Sequence, residues 1–318
     1  MAKKRYFLKL RRILGFDAKL IALKKWLRQS VRKMLAIGSI EEQNNMFYEM
    51  MDLLQHQEKL FIPTVASRQQ TLEKLLQSEM SLARFGDGEF KLMFYGDSLG
   101  FQEYDEKLAE RLKEVLSSRH EKLMIGLPNF FGYLEEEAAI VWRKFVGHLR
   151  SYINPYLNAQ TQYYDTGVTR CIDSAEHFQT IKQIWENRDI VVIEGTMTRM
   201  GIGNNLLNNA KSIRRILAPA ENAFQIVDKI FAEAVLLEKN VLFLIALGPT
   251  ATILAHDLTL AGFRALDVGH LDICYELFQR GETQVTAIEG KYVNEASYRA
   301  PVDCKDENYL KQIICKVE

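Results

Sequence analysis

Runs of consecutive apolar residues alternate along most of this chain with stretches in which apolar positions recur every third or fourth residue. The runs "IVVIEG" (190–195) and "VLFLIALG" (241–248) stay apolar almost to their ends, as strands covered on both faces do. Shorter runs, "LARFG", "KLMIGLP", "TQYYDTGVTR", "RRILAP" and "FRALDVG", are punctuated by Gly, Pro or an acid. Helical spacing fills the intervals 105–119, 134–150, 174–186, 221–236 and 250–261. Upstream, residues 38–78 read as mostly helical, with "SRQQTLEKLLQSE" starting at Ser67 shortly after Pro63. This alternation predicts an α/β fold, a mostly parallel sheet with helices on both faces. In open sheets of that kind ligands settle outside the carboxyl ends of the strands, where strand order switches. Chemistry is therefore expected just after each run.

Composition fits one large domain with an appendage: 318 residues, 47% apolar and 26% charged. The formal net charge is zero, yet residues 1–34 carry twelve Lys or Arg against one acid, Asp17. We therefore expect a basic amphipathic helical extension over 1–60 and the main domain over 61–318. In the extension Leu20, Leu23, Leu27, Val31 and Leu35, with Trp26, follow helical spacing, while Lys19, Lys24, Lys25, Arg28, Arg32 and Lys33 fill much of the rest. Such a helix suits an anionic bilayer surface, and equally suits packing on its own domain or on a partner protein. Nucleic acid is not an expected partner, because the body-wide basicity and aromatic interleaving that such binding favours are missing. Cys171, Cys274, Cys304 and Cys315 are scattered, without zinc-site spacing or the density of a disulfide scaffold, which suits a reducing cytoplasm. No run reaches the ~20 apolar residues of a spanning helix, and the charges interleaved through the first thirty positions do not make a secretory leader.

Four of the expected strand ends carry clustered polar residues. In "RFGDGE", Gly86 and Gly88 permit a tight turn, and Asp87 and Glu89 present hard oxygen ligands of the kind that hold Mg²⁺ or Mn²⁺ together with substrate phosphates, with Arg84 beside them. The competing reading is an Asp-Gly turn in which Glu89 opens a helix. In "IEGTMTRMGIGNNLL" a buried run leads into Glu194, Thr198 and Arg199, then Gly201, Gly203 and Asn204 at the mouth of an expected helix, where free N–H groups and the Arg199 guanidinium suit an anion. The glycine spacing is no dinucleotide fingerprint, and a purely structural turn stays open. In "LGPTATILAHDL", Gly248 and Pro249 break the run, and Thr250 either caps the next helix or holds a phosphate or base. In "ALDVGHLDICYE", Asp267, His270, Asp272 and Glu276 follow a run, and a helix from 271 would set Asp272 and Glu276 on one face. Jointly the four imply one ligand with phosphates, a divalent cation and a polar remainder.

"RFGDGE", "DTGVTRCIDS", "EGTMTRMGIGNNLL", "RRILAPAENAF", "LGPTATILAHDL" and "DVGHLD", in that order over about residues 62–295, resemble the GT-D fold glycosyltransferases of bacteria. The resemblance implies a Rossmann-like domain that passes a sugar from a UDP-sugar, typically UDP-glucose, to an acceptor glycan, using Mn²⁺ (or Mg²⁺) and a DxE motif that falls here on Asp87 and Glu89. On that reading Arg84, Glu194, Thr198, Arg199, Gly201, Gly203, Asn204, Pro249, Thr250 and His270 are the expected donor-binding set, and Asp272 or Glu276 the base that deprotonates the acceptor. Asn205 stands where the family pattern has an acid, and the basic extension lies outside the family domain. The resulting expectation is a cytoplasmic enzyme, peripheral on the inner face of the membrane, acting on a glycoprotein glycan or a cell-surface polysaccharide. Two alternatives stay open. One is a non-catalytic nucleotide-sugar-binding or scaffold subunit of a membrane-associated glycosylation complex, docked to a partner glycosyltransferase or the bilayer through residues 1–36. The other is a methyltransferase that uses "IEGTMTRMGIG" for its cofactor.

Overall fold

The computed structural model describes residues 63–128, 149, 152–170, 172–293, 296 and 303–318. The expected basic extension and nearly all of the expected helix 134–150 lie outside the described residues. The strands are β1 (Ser81–Arg84), β2 (Leu123–Leu127), β3 (Tyr164–Asp165), β4 (Asp189–Gly195), β5 (Ser212–Ala218), β6 (Leu242–Ala246), β7 (Arg264–Asp267) and β8 (Ile313–Lys316). They form one sheet in the order β3-β2-β1-β7-β6-β4-β5-β8, and every pairing is parallel. The helices among the described residues are α1 (Arg68–Gln77), α2 (Asp87–Tyr95), α3 (Glu106–Ser117), α4 (Ala175–Lys182), α5 (Val227–Val235), α6 (Pro249–Leu260), α7 (Leu271–Gln279) and α8 (Glu307–Gln312).

Local chemistry sets most helix starts. Ser67 begins α1 with a reciprocal cap, its hydroxyl accepting from the Gln70 N–H while the Gln70 side chain accepts from the Ser67 N–H. Asp105 and Ser174 cap α3 and α4 in the same way from one side, accepting from the Leu108 and His177 N–H groups. Two of the expected helices are shorter than their apolar spacing suggests, because 3₁₀ turns at Gln183–Trp185 and Ala223–Ile226 take up the remainder. "TQYYDTGVTR" yields only a two-residue strand, since the Asp165 carboxylate accepts the Gly167 N–H and turns the chain into a 3₁₀ helix, Thr166–Thr169.

Side chains alternate across the sheet and divide the core into two layers. Val191, Ile193, Phe243 and Ile245 point to the face covered by α2, α3, α5 and α6. Ile190, Val192, Leu242 and Leu244 point to the face covered by α1, α4 and α7. Both faces being dry explains why β4 and β6 read as unbroken apolar runs.

β1 lies inside the sheet. From it the chain steps outward to β2 and β3, crosses to β4 and β5 on the far side, and returns through β6 to β7, which pairs with β1. Strand order switches between β1 and β7, so the ends of β1, β7, β6 and β4 open on one crevice. Phe243, fully buried and set edge-on to Phe263 at 5.4 Å, sits in the middle of the first core layer. Phe243→Ala is expected to lower stability by about 3–5 kcal/mol in urea unfolding; a loss below about 1 kcal/mol would mean that this layer tolerates repacking.

Candidate functional site

At the end of β1 the chain meets Phe85, turns at Gly86 and enters α2 at once, so Asp87 and Glu89 occupy the first turn of a helix, where its dipole favours acids. Glu89 reaches back to accept the Gly86 N–H at 2.7 Å. Asp87, half-exposed, accepts from Lys91 one turn along at 2.8 Å. Glu89 therefore does begin a helix, as the simpler of the two sequence readings held, and both acids nevertheless border a cavity of about 680 Å³. Burial first, and the neighbouring Asp267 carboxylate second, push the Glu89 carboxyl above the usual carboxylate range, against the pull of the helix-end N–H groups and Arg84.

Arg84 lies behind these acids, buried. Its Nε donates to the Asp267 carbonyl and its Nη2 to the Asp267 carboxylate, both at 2.8 Å, while Nη1 reaches the Thr166 carbonyl at 3.4 Å. Thr252, in α6, donates to the Arg84 carbonyl at 2.9 Å and lies 3.3 Å from the other Asp267 oxygen. The guanidinium fits only because residue 269 is glycine: with φ at +47°, a Cβ there would fall 1.9 Å from Nη2. His270 follows at the mouth of α7 and borders the cavity.

The end of β4 is built differently from the expectation. Glu194 is fully buried and pairs with Arg215 of β5 at 2.5 Å. The two side chains clamp the backbone of one residue on both sides, Glu194 accepting the Met200 N–H at 2.7 Å and Arg215 donating to the Met200 carbonyl at 2.9 Å. Between them the turn carries Thr198 to the cavity, but Arg199, buried with φ at +53°, points to the Gly290 carbonyl at 2.9 Å. No helix follows. Residues 201–211 are a chain of turns in which asparagine side chains replace helical bonds: Asn204 accepts the Leu206 N–H, and Asn209 donates to the Lys182 carbonyl. The expected helix N-terminus at Gly203 and Asn204 is thus corrected to a turn, and no helical N–H groups are presented there.

Asp272 and Glu276 share one face of α7, as the i, i+4 spacing required, and both accept from Asn204, at 2.8 and 2.9 Å. Asp272 also takes the Gly201 N–H at 2.8 Å and Lys291 at 2.6 Å, and it borders the cavity. Glu276 turns aside to Arg280 at 2.9 Å. Burial alone would raise the Glu276 carboxyl, but the Asn204 hydrogen bond and the charges of Arg280 and Lys291 outweigh it and hold Glu276 below its ordinary value. Pro249 and Thr250 lie buried in the first turn of α6, and the Thr250 hydroxyl has no hydrogen-bond partner among the described residues. Gly248, just before them, borders the cavity with φ at +53°, where a Cβ would come 2.4 Å from the Phe101 ring.

A family model for the glycosyltransferase GT-D fold matches residues 82–296. The chain belongs to the GT-D fold glycosyltransferase family. It is 35% identical over 265 residues to a probable glycosyl transferase, Gly, of Streptococcus gordonii, covering 80% of this chain and 39% of that protein. It is 32% identical over 260 residues to the glycosyltransferase GlyD of Streptococcus pneumoniae serotype 4, covering 78% of this chain and 32% of that one. The chain therefore spans about a third of the length of these curated relatives. Among solved structures, it resembles a glycosyltransferase from Streptococcus sanguinis with a TM-score of 0.74 and 33% identity over 80% of this chain and all of that one. A second, described as a conserved domain of unknown function with a distinct glycosyltransferase fold, gives a TM-score of 0.72 and 33% identity over 81% of this chain and 96% of that one.

In this GT-D chain the cavity brings together Arg84, Asp87, Glu89, Thr198, His270 and Asp272 from three strand ends. Glu194, Arg199, Gly201, Gly203, Asn204, Pro249, Thr250 and Glu276 do not line it. The wall also holds residues not singled out from the sequence: Thr166 and Arg170 after β3, the Asp97–Gln102 loop after α2, and Tyr292. Arg170 lay within "DTGVTRCIDS", where an isolated arginine among polar residues gave no reason to prefer it. Tyr292 comes from a distant segment that hydrogen-bonds to the Met197 carbonyl, a contact no local spacing reveals.

Among the described residues no three His, Cys, Asp or Glu side chains converge as a self-sufficient metal cage. Asp87 and Glu89 instead fit a hard divalent ion held by two carboxylates, with water and substrate oxygens completing its shell. The crowding of Glu89 against Asp267 is the kind of excess negative charge that such an ion would neutralise. Its sign predicts a pH effect in metal-free buffer. The folded-state value lies above the unfolded reference of 4.5, so the native state keeps a proton that the unfolded chain has released, and that advantage is lost as pH rises through the folded value. Wild-type stability relative to Glu89→Gln should therefore fall as pH rises above the unfolded reference of 4.5, as measured by paired urea unfolding curves. An unchanged difference as pH rises would show that Glu89 is not crowded.

Proposed function

We propose that this protein is a glycosyltransferase that moves a sugar, with glucose as the expected unit, from a UDP-sugar to an acceptor glycan on a glycoprotein or a cell-surface polysaccharide. One observation carries the reading: in a chain of the GT-D family, acids, a threonine, a histidine and an arginine from separate strand ends border a single cavity at the sheet's switch point. The absence of a helix after the turn at 196–201 supports it over a methyl-donor site of the strand-turn-helix type.

Asp87 and Glu89 are the residues that would hold Mn²⁺ or Mg²⁺, which when bound supplies positive charge against the departing diphosphate. Thr198, on its clamped turn, and His270, at the mouth of α7, are placed to contact the diphosphate or the sugar. Arg84 is spent on Asp267 and acts by holding the two strand ends together. Of the two candidate bases, Asp272 reaches the cavity and Glu276 does not, so we assign the acceptor proton to Asp272 for an inverting displacement. Asp272 Oδ1 accepts two hydrogen bonds and Oδ2 one, from Lys291, so the proton would settle on the second lone pair of Oδ2. Arg199, Asn204 and Glu276 hold neighbouring segments in place and are assigned positioning roles.

The test is UDP-glucose turnover with Mn²⁺. The double variant Asp87→Ala, Glu89→Ala should lose at least about a thousandfold in kcat/KM while melting within about 3 °C of wild type, and EDTA should silence wild type reversibly. Full turnover by the double variant would defeat the assignment. We also propose that residues 1–36 seat the enzyme on the cytoplasmic face of the membrane. Among the described residues no helix is long and apolar enough to cross a membrane. Deleting 1–36 should abolish sedimentation with anionic vesicles, and undiminished sedimentation would remove that part of the proposal.

A further inference from the structure

Aromatic rings open to water are informative when they gather in one place. Among the described residues the exposed aromatic side chains are Tyr95, Tyr104 and Tyr152, at 42%, 44% and 52% exposure, whereas the exposed aliphatic residues are scattered over other elements. The three tyrosines come from separate stretches and meet at the end of α2. Gly96 closes that helix in the left-handed conformation, and the Tyr104 ring lies over it, 3.8 Å from where a Cβ would stand. Tyr152 leans on Phe94 with ring centroids 6.0 Å apart. Burial, then Tyr152, then Asp97 raise the Tyr95 phenol above its ordinary value, which places these groups within electrical reach of one another.

The group is rooted in the core. Phe85 stacks on Phe90 at 6.0 Å and Phe90 on Phe94 at 6.5 Å, so an aromatic column runs from the end of β1 along α2 to the surface tyrosines. Rings fixed from below lose little freedom when something settles on them. The platform is also continuous with the cavity, because the Asp97–Gln102 stretch between Tyr95 and Tyr104 forms part of the cavity wall.

The local charge narrows the occupant. Residues 95–106 include Asp97, Glu103, Asp105 and Glu106 and no Lys or Arg, and of the nearby lysines Lys91 and Lys113 are already paired with Asp87 and Glu110, so the patch offers no excess of positive charge to an anionic bilayer, a nucleic acid or an acidic peptide. A neutral pyranose ring matches: its C–H face lies on the negative face of an aromatic ring, and its hydroxyls find phenolic oxygens and carboxylates at the edge. We propose that Tyr95, Tyr104 and Tyr152 form a stacking platform that binds uncharged sugar rings of the acceptor glycan beside the cavity mouth. The proposal rests on the transferase reading above for the word acceptor, and on geometry alone for the sugar-binding surface.

The experiment measures binding of the full chain to an array of neutral oligosaccharides, alongside UDP-glucose hydrolysis by water. The triple variant Tyr95→Ala, Tyr104→Ala, Tyr152→Ala should bind the array about tenfold more weakly, and the matching triple phenylalanine variant should stay within about threefold of wild type. All three proteins should melt alike and hydrolyse donor alike. Equal array binding by wild type and the alanine triple overturns the proposal, and so does a wild type that binds no oligosaccharide. Loss of sedimentation with phosphatidylglycerol vesicles in the alanine triple, with array binding intact, assigns the tyrosines to a membrane and also overturns it. Expected array results with no donor hydrolysis by any of the proteins would support the platform and count against the transferase reading instead.

Discussion

β1 and β7 meet where the chain reverses its course across the sheet, and in register they share a single facing pair, Leu82 and Leu266. What fastens the junction is a side chain: Arg84 of β1 grips both the carbonyl and the carboxylate of Asp267 at the end of β7. Thr252 bonds the Arg84 carbonyl and approaches the second Asp267 oxygen, tying α6 to the same knot. A buried pair of this kind is worth little net when weighed against an apolar replacement, but losing one partner leaves an uncompensated charge and costs about 3–5 kcal/mol. The crevice depends on it, because the acidic first turn of α2 and the His270 turn are the segments that directly follow the two paired residues.

A second buried pair does the same for the other rim. Glu194 and Arg215 lie wholly out of water, and Arg215 adds a Gln312 hydrogen bond at 2.7 Å and a Tyr309 ring face at 4.7 Å. The pair fixes the backbone of Met200 on both sides and, through it, the turn that presents Thr198. It also explains why the last residues fold back onto β5: α8 and β8 supply Tyr309 and Gln312 and close an otherwise bare edge over a buried charge. Asp272 and Lys291 make a third such joint, docking the segment that carries Tyr292 against α7. Three of the segments around the cavity are thus each anchored by a buried charged pair.

That arrangement decides what the sequence could disclose. Apolar runs reported β4 and β6 faithfully because both faces of those strands are dry, and the i, i+4 spacing of Asp272 and Glu276 survived because α7 is a regular helix. The crevice itself was legible from polar residues clustered at strand ends. Which of those residues face the cavity was not. Glu194 and Arg199 look like ligand-binding groups in one dimension, and become anchors only once Arg215, Gln312 and Gly290 arrive from far along the chain. Conversely, the expected run around β3 yields only two strand residues, and the edge strand β8, four residues alternating half-buried and exposed, is too short to register as periodic. The missing helix after Gly203 reflects four asparagines in six residues, Asn204, Asn205, Asn208 and Asn209, whose side chains compete with the backbone for hydrogen bonds.

The glycines show how such misreading arises. A glycine-rich strand end suggests close approach of a phosphate, yet three of these glycines make room for the protein's own charges. Gly86 has extended backbone, and a Cβ there would press within 3.2 Å of the Glu89 carboxylate. Gly126, on β2, leaves space for the Arg84 stem, and Gly269 leaves space for its guanidinium. Remove that room and Arg84 could not lie flat against Asp267, nor Glu89 fold back onto its helix end. The Arg84 guanidinium and the Asp267 carboxylate would then each stand uncompensated in the cavity wall, a costly arrangement in low dielectric. By pairing Arg84 with Asp267 within the cavity wall, the fold leaves Asp87 to Lys91 and Glu89 to the Gly86 N–H. The arrangement of charges in that wall is set in part by glycines, which leave room for side chains that a Cβ would displace.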